Sequence, residues 1–164
     1  MLDSYKEIIQ KAKGNKKSIK KYLNRLKTKK VKKLDEQVHE LHTEVFEELD
    51  CLQCANCCKT TGPLFTDRDI SRISKHLGLK AADFEEQYLR VDEDQDWVLK
   101  STPCTFLGSD NYCSIYEVRP KACAAYPHTD HVGFQNILDI TEKNTRMCPA
   151  AAKVVEKMME RIPV

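Results

Sequence analysis

Long apolar runs are missing from this chain. None approaches the ~18 consecutive apolar residues of a membrane-spanning helix, which excludes a helical membrane span. Glycine is sparse, at 5 of 164 residues, and proline stands at 6, which excludes collagen-like and low-complexity classes. The opening residues contain no apolar h-region, so the expectation is a cytoplasmic protein without a secretory signal. No Gly-x-Ser-x-Gly or comparable signature marks an acyl-transfer site, and no independent catalytic activity is expected. What remains is 41% apolar and 32% charged with a mean hydropathy of −0.56, which suits a water-exposed fold with a modest core.

Acidic residues are nearly absent from the first segment. Residues 1–33 hold 13 Lys/Arg against 2 Asp/Glu, whereas residues 34–50 hold 7 acids and no Lys or Arg. The net charge of +2 hides this division. Such a basic stretch suits an acidic partner or a nucleic acid, and equally a solvated helix face or neutralisation of the acidic neighbour. Aromatic residues there are limited to Tyr5 and Tyr22, which argues against stacking on bases.

Within the basic segment, Leu2, Tyr5, Ile8, Ile9 and Ala12, then Ile19, Tyr22, Leu23 and Leu26, follow helical spacing. The pattern predicts two amphipathic helices broken near Gly14-Asn15. Val31, Leu34, Val38, Leu41 and Val45, joined by Leu49, form one apolar stripe on a third helix. That stripe could pack inward or pair with a second chain, so the oligomeric state stays open. His39 and His42 stand one turn apart, and an exposed helical face is expected for them ahead of a metal pair. All eight cysteines follow residue 50, which suggests a helical extension over 1–50 and a cysteine domain over 51–164.

Eight cysteines in a reducing compartment point to metal or redox chemistry rather than to disulfides. Cys51, Cys54, Cys57 and Cys58 form a CxxCxxCC run. Two intervening residues let the chain curl so that both thiolates face one centre, and soft sulfur suits zinc at ~2.3 Å or the irons of a cluster. A helical run puts Cys51, Cys54 and Cys58 on one face; a loop favours Cys51, Cys54 and Cys57. The adjacent pair Cys57-Cys58 could serve two centres. Cys104 and Cys113 flank Gly108-Ser109-Asp110-Asn111, a turn composition that predicts a hairpin joining both thiols. Pro120 opens a short helix carrying Cys123, which Pro127 ends, and Cys148-Pro149 opens a last helix over Ala150–Arg161. His128 and His131 follow Cys123, and either could complete a mixed site, with a surface histidine as the plainer expectation for both. Two four-thiolate sites, or one site with structural cysteines beside it, both fit.

In the middle of the chain, Thr66 to Asp69 reads as a capping box that starts a helix through Ile70, Ile73 and Leu77, stopped at Gly78. A helix with Phe84, Tyr88 and Leu89 comes next. Val91 to Leu99 then reads as strand, acidic turn, strand. The turn lacks the glycine and distal glutamate of an EF-hand, so a solvated turn is expected.

The ordered set CxxCxxCC, then C-x-F-L-x4-Y-C-x-I-Y-x2-R-P-x2-C-x2-Y-P, then C-P resembles the YkgJ-type cysteine-cluster family over residues 51 to 149. That family is described as zinc- or iron-chelating, and some members are labelled iron–sulfur proteins. The resemblance implies metal-ligand status for Cys51, Cys54, Cys57, Cys58, Cys104, Cys113, Cys123 and Cys148. Zinc is favoured by CxxC pairs; an iron–sulfur cluster by CxxCxxC with a remote Cys-Pro. The expected fold is α+β: short helices and one or two small β-hairpins around a cysteine metal site, after a helical N-terminal extension.

Overall fold

A computed structural model of the chain describes residues 1–164. In chain order the elements are α1 (Asp3–Gly14), α2 (Lys16–Thr28), α3 (Leu34–Glu48), α4 (Cys51–Cys54), α5 (Asn56–Thr60), β1 (Leu64–Phe65), α6 (Asp67–His76), α7 (Ala81–Tyr88), β2 (Leu89–Val91), β3 (Trp97–Leu99), α8 (Lys121–Ala125), α9 (Leu138–Asn144) and α10 (Pro149–Arg161). The fold is mostly helical with one small antiparallel sheet, consistent with α+β. No helix is long and apolar enough to cross a membrane.

The chain forms two compact units by its packing. One unit joins Met1–Cys54 to Pro127–Val164; the other is Ala55–Tyr126. The physical reason is the apolar spacing of the first three helices. Tyr5, Ile9 and Ala12 on α1, and Ile19, Tyr22, Leu23 and Leu26 on α2, are buried. So are Leu34, Val38, Leu41 and Val45 on α3. A helix covers such a stripe by packing against another helix, and here α10 supplies it to α3 and α1 while α9 lies against α2. Helices α1, α2 and α3 therefore contribute to the core of this unit. The α3 stripe packs inward on α10, whose Val154, Val155 and Met158 are fully buried.

Polar contacts fix these packings. The Tyr22 hydroxyl shares its hydrogen between the Met158 and Ile162 carbonyls at 3.0 and 2.9 Å, at the C-terminal end of α10, where Met158 O also accepts the Ile162 N–H. Glu44 on α3 takes Lys157 at 2.6 Å and Arg161 at 2.7 Å from α10, and these cations hold its carboxyl down at about 2. Asp35 accepts the N–H groups of Gly133 and Phe134, starting the 3-10 turn Phe134–Ile137. Gly133 has φ +78, a left-handed conformation open to glycine without strain.

The Ala55–Tyr126 unit has its own core of Phe65, Ile70, Ile73, Phe84, Leu89, Leu99, Phe106 and Ile115. Its sheet runs β1-β3-β2, with Leu64 opposite Val98 and Leu89 opposite Leu99. The Thr66 capping box and the strand–turn–strand expected over Val91–Leu99 both form, but the first strand starts at Leu89, which the sequence places on the preceding helix and which lies past its end at Tyr88. The strand Leu64–Phe65 and the helix α9 carry too short a pattern to read from sequence alone.

Candidate metal centre

The CxxCxxCC run is neither one helix nor a plain loop. Ala55 adopts φ +47, a left-handed conformation costing an L-residue roughly 1–2 kcal/mol. It breaks the run into α4, with Cys51 and Cys54, and α5, with Cys57 and Cys58. The division between the two compact units falls at this same residue. The single shared face expected for Cys51, Cys54 and Cys58 in a continuous helix is thereby lost.

In the Ala55–Tyr126 unit, three local devices bring cysteines together. The Cys104 N–H donates to the Cys58 carbonyl at 2.7 Å. The hairpin predicted between Cys104 and Cys113 forms with one bridge, Leu107 opposite Cys113, and the Gly108 N–H donates to Tyr112 O at 2.7 Å. A Cβ on Gly108 would stand 2.6 Å from Asp110 Oδ1 and 3.2 Å from Tyr112 O, so a side chain here would force Asp110 to move. Lys59 reaches from α5 to Asn111 Oδ1 at 2.7 Å, tying the hairpin tip to the Cys57-Cys58 helix.

Cys123 arrives on α8, and Asp69 anchors the start of that helix. Asp69 is buried at the first turn of α6. Its Oδ1 accepts the Lys121 N–H at 3.0 Å and Arg72 at 2.6 Å, and its Oδ2 accepts Thr66 Oγ1 at 2.7 Å. Arg72 also donates to Arg119 O at 2.9 Å. The sequence shows only the capping box here; nothing in its spacing ties residue 69 to residue 121. Burial pushes the Asp69 carboxyl upward, but the hydrogen bonds outweigh it and hold the group at about 2, below its ordinary 3.8. Its stabilising contribution is therefore complete above the unfolded value and is lost as pH falls through about 2. Asp69→Ala is expected to cost about 2–4 kcal/mol, since it strips partners from buried donors. Urea midpoints of both proteins from neutral pH down to about 2 check this: the gap should shrink on acidification, and a gap independent of pH would refute the assignment.

Burial dominates the electrostatics of the thiols. Burial is the main effect that pushes Cys123 up to about 12, and the Cys58, Cys104 and Cys113 sulfurs add to it. Cys104 is raised first by burial, then by Cys58 and Cys113; Cys113 first by burial, then by Cys58. Arg119 opposes the rise at Cys113 and Cys123. Its guanidinium stacks 4.0 Å over the Tyr116 ring and donates to Tyr116 O. Cys58 goes the other way, down to about 7, chiefly because the Cys57 thiol, 3.9 Å away, can donate to its sulfur.

The other unit holds a second group. Cys148 is buried just before α10, and burial pushes it up to about 12. The N–H groups of Ala151 and Ala150 oppose that rise, while Cys51 and Cys54 add to it. Asp50 accepts the Leu52 N–H, and its own N–H donates to the Tyr5 hydroxyl, which fixes the entry to α4.

His128 has φ +66, and its charged neighbours are His131 and Asp130. His42, expected on an exposed face, is half-buried: its Nδ1 stands 2.8 Å from Thr129 Oγ1, and its ring packs on Phe46. His39 remains exposed. Asp92 accepts the N–H groups of Asp94 and Asp96, closing the acidic turn on itself.

No three Cys, His, Asp or Glu side chains surround a common point at metal-ligand spacing. Both groups are thus neighbourhoods of thiols and not closed coordination spheres. Their chemistry nevertheless fits a soft cation. Neutral thiols tolerate burial; several thiolates in one buried locale need a positive centre.

Residues 50–149 match the model of the CxxCxxCC family, described as a putative zinc- or iron-chelating domain. The chain belongs to that family. No curated protein and no solved structure matches it. Membership supports metal binding in general, with zinc or iron as the metal.

Proposed function

We propose that this chain holds zinc or iron through two sets of thiolates. Cys58, Cys104, Cys113 and Cys123 form one set; Cys51, Cys54 and Cys148 form the other. The observation that supports the reading is that the segments carrying these four cysteines are tied together within the Ala55–Tyr126 unit by the Cys104–Cys58 backbone bond, the 104–113 hairpin and the Asp69–Lys121 contact. The family ligand pattern also includes Cys57, whose thiol stands beside Cys58. His128 lies with His131 and Asp130 and is left out of both sets. When bound, the metal supplies the positive charge that lets buried thiols ionise. The protein's own contribution is to position the sulfurs and, through Arg119 and Lys59, to favour their anionic form. An iron–sulfur cluster is one form the iron could take, and acid-labile sulfide distinguishes it from bare metal.

The test is anaerobic purification followed by zinc, iron and sulfide determination per chain. Cys58→Ser and Cys123→Ser should each lower bound metal and melting temperature together, because ligation is coupled to folding. Cys51→Ser and Cys148→Ser should empty the second set and leave the first loaded. Parental metal content in all four variants would overturn the proposal, as would a folded, metal-free parent with fully reactive thiols.

A further inference from the structure

We infer that the outward face of α2 binds the phosphodiester backbone of a double-stranded nucleic acid. Lys17, Lys20, Lys21, Asn24, Arg25 and Thr28 line one shallow, open depression along this helix. All six are exposed. Their spacing of three and four residues makes them a single helix face, spanning about 16 Å along the axis at ~1.5 Å per residue. The helix contains no Asp or Glu. Asp139 pairs with Lys27 on the flank, whereas Lys17, Lys20, Lys21 and Arg25 form no ion pair.

This arrangement works against the helix itself. Lys16 and Lys17 stand in its first turn, where the macrodipole disfavours cations. Lys17 and Lys21, and Lys21 and Arg25, are like charges one turn apart, which repel. Several cations elsewhere in the same unit are matched, Lys11 with Glu156 and Lys157 and Arg161 with Glu44, whereas the row on α2 has no acid on its own helix. The unmatched charge on α2 therefore calls for an anionic partner.

The rest of the helix selects the partner. Its apolar residues Ile19, Tyr22, Leu23 and Leu26 are buried in the protein, so α2 has no apolar face to sink into a bilayer. No aromatic side chain is offered outward for stacking on unpaired bases, because Tyr22 is buried. What is left is a row of cations with an amide and a hydroxyl between them, the groups that contact phosphate and sugar without reading sequence. DNA and RNA duplexes share that chemistry.

The experiment uses the full-length protein and fluorescein-labelled duplexes of about 24 base pairs, one DNA and one RNA, in anisotropy titrations across a salt series. The test variant is Lys20→Gln/Lys21→Gln/Arg25→Gln. A control of equal charge change is Lys75→Gln/Lys80→Gln/Arg90→Gln, at exposed positions of the other unit. Circular dichroism checks that both stay folded. The proposal expects salt-sensitive binding of at least one duplex by the parent. The α2 variant should bind about 10–100-fold more weakly, with a log K against log salt slope shallower by about 3, while the control binds like the parent. Binding of DNA alone, RNA alone or both supports it and names the source. It is overturned if the parent binds neither duplex at about 50 mM salt, if both variants lose affinity equally, or if polyglutamate or phosphatidylserine vesicles compete as well as duplex at equal charge.

Discussion

A chain lacking residues 1–33 will lose the helical unit altogether rather than shed a loose arm. The deletion removes Tyr5, Ile9, Ala12, Ile19, Tyr22, Leu23 and Leu26, each at most 8% exposed in the whole protein. Burying one large apolar side chain contributes roughly 1.5–3 kcal/mol. Six of the seven, all but Ala12, are of that size and amount to on the order of 10 kcal/mol, comparable with the ~5–15 kcal/mol that holds a typical domain folded. The deletion also uncovers the partners of α1 and α2 on α10 and α9, and leaves the Met158 and Ile162 carbonyls without the Tyr22 hydroxyl. Hydrogen exchange is the direct readout. Amides of α3 and α10 should exchange at open-chain rates in the shortened protein. Native protection there would mean that α3 and α10 suffice as a pair, and that the first two helices are dispensable after all.

That expectation reverses the one the charge pattern suggests, and the reversal shows which signals a sequence carries. The helices α1, α2 and α3 are legible because Tyr5, Ile9 and Ala12, or Leu34, Val38, Leu41 and Val45, repeat at the period of a helix. Which surface would cover those stripes is not written locally, since α10 lies more than 100 residues away from α3. Charge drew the boundary at residue 50; packing drew it at residues 54 and 126. The candidate site follows the same rule. The hairpin between Cys104 and Cys113 and the helix start at Pro120 are local, encoded by turn residues and by proline. The break at Ala55 is not, because alanine has no preference for φ +47 and tertiary packing must impose it. The Asp69–Lys121 contact is likewise a product of the fold. The thiols and the turns that carry them are therefore legible in the sequence, whereas the contacts that draw the segments of Cys58, Cys104 and Cys123 into one unit arise only in the folded chain.

Phe84→Ala should be the most damaging single substitution outside the cysteines. Phe84 is fully buried and lies within 5.2 Å of Tyr88, 6.1 Å of Phe65 and 6.2 Å of Phe106, ring centre to ring centre. Removing its ring leaves a cavity where α7, β1 and the 104–113 hairpin meet, and Phe-to-Ala changes of this kind cost about 3–5 kcal/mol. The consequence for the thiols follows from Phe106, which sits two residues after Cys104 and accepts the Ser114 N–H next to Cys113. A hairpin without its packing partner places both cysteines less firmly, and ligand sets that are loosely held bind metal less tightly. The expected result is a lower urea midpoint with an earlier loss of bound metal as a chelator is added, read on the same samples. Phe84→Leu, which refills most of the volume, should restore much of both. If Phe84→Ala lowers stability while metal retention under chelator stays parental, the aromatic cluster supports the fold alone and Cys104 and Cys113 are held in place by their own hairpin.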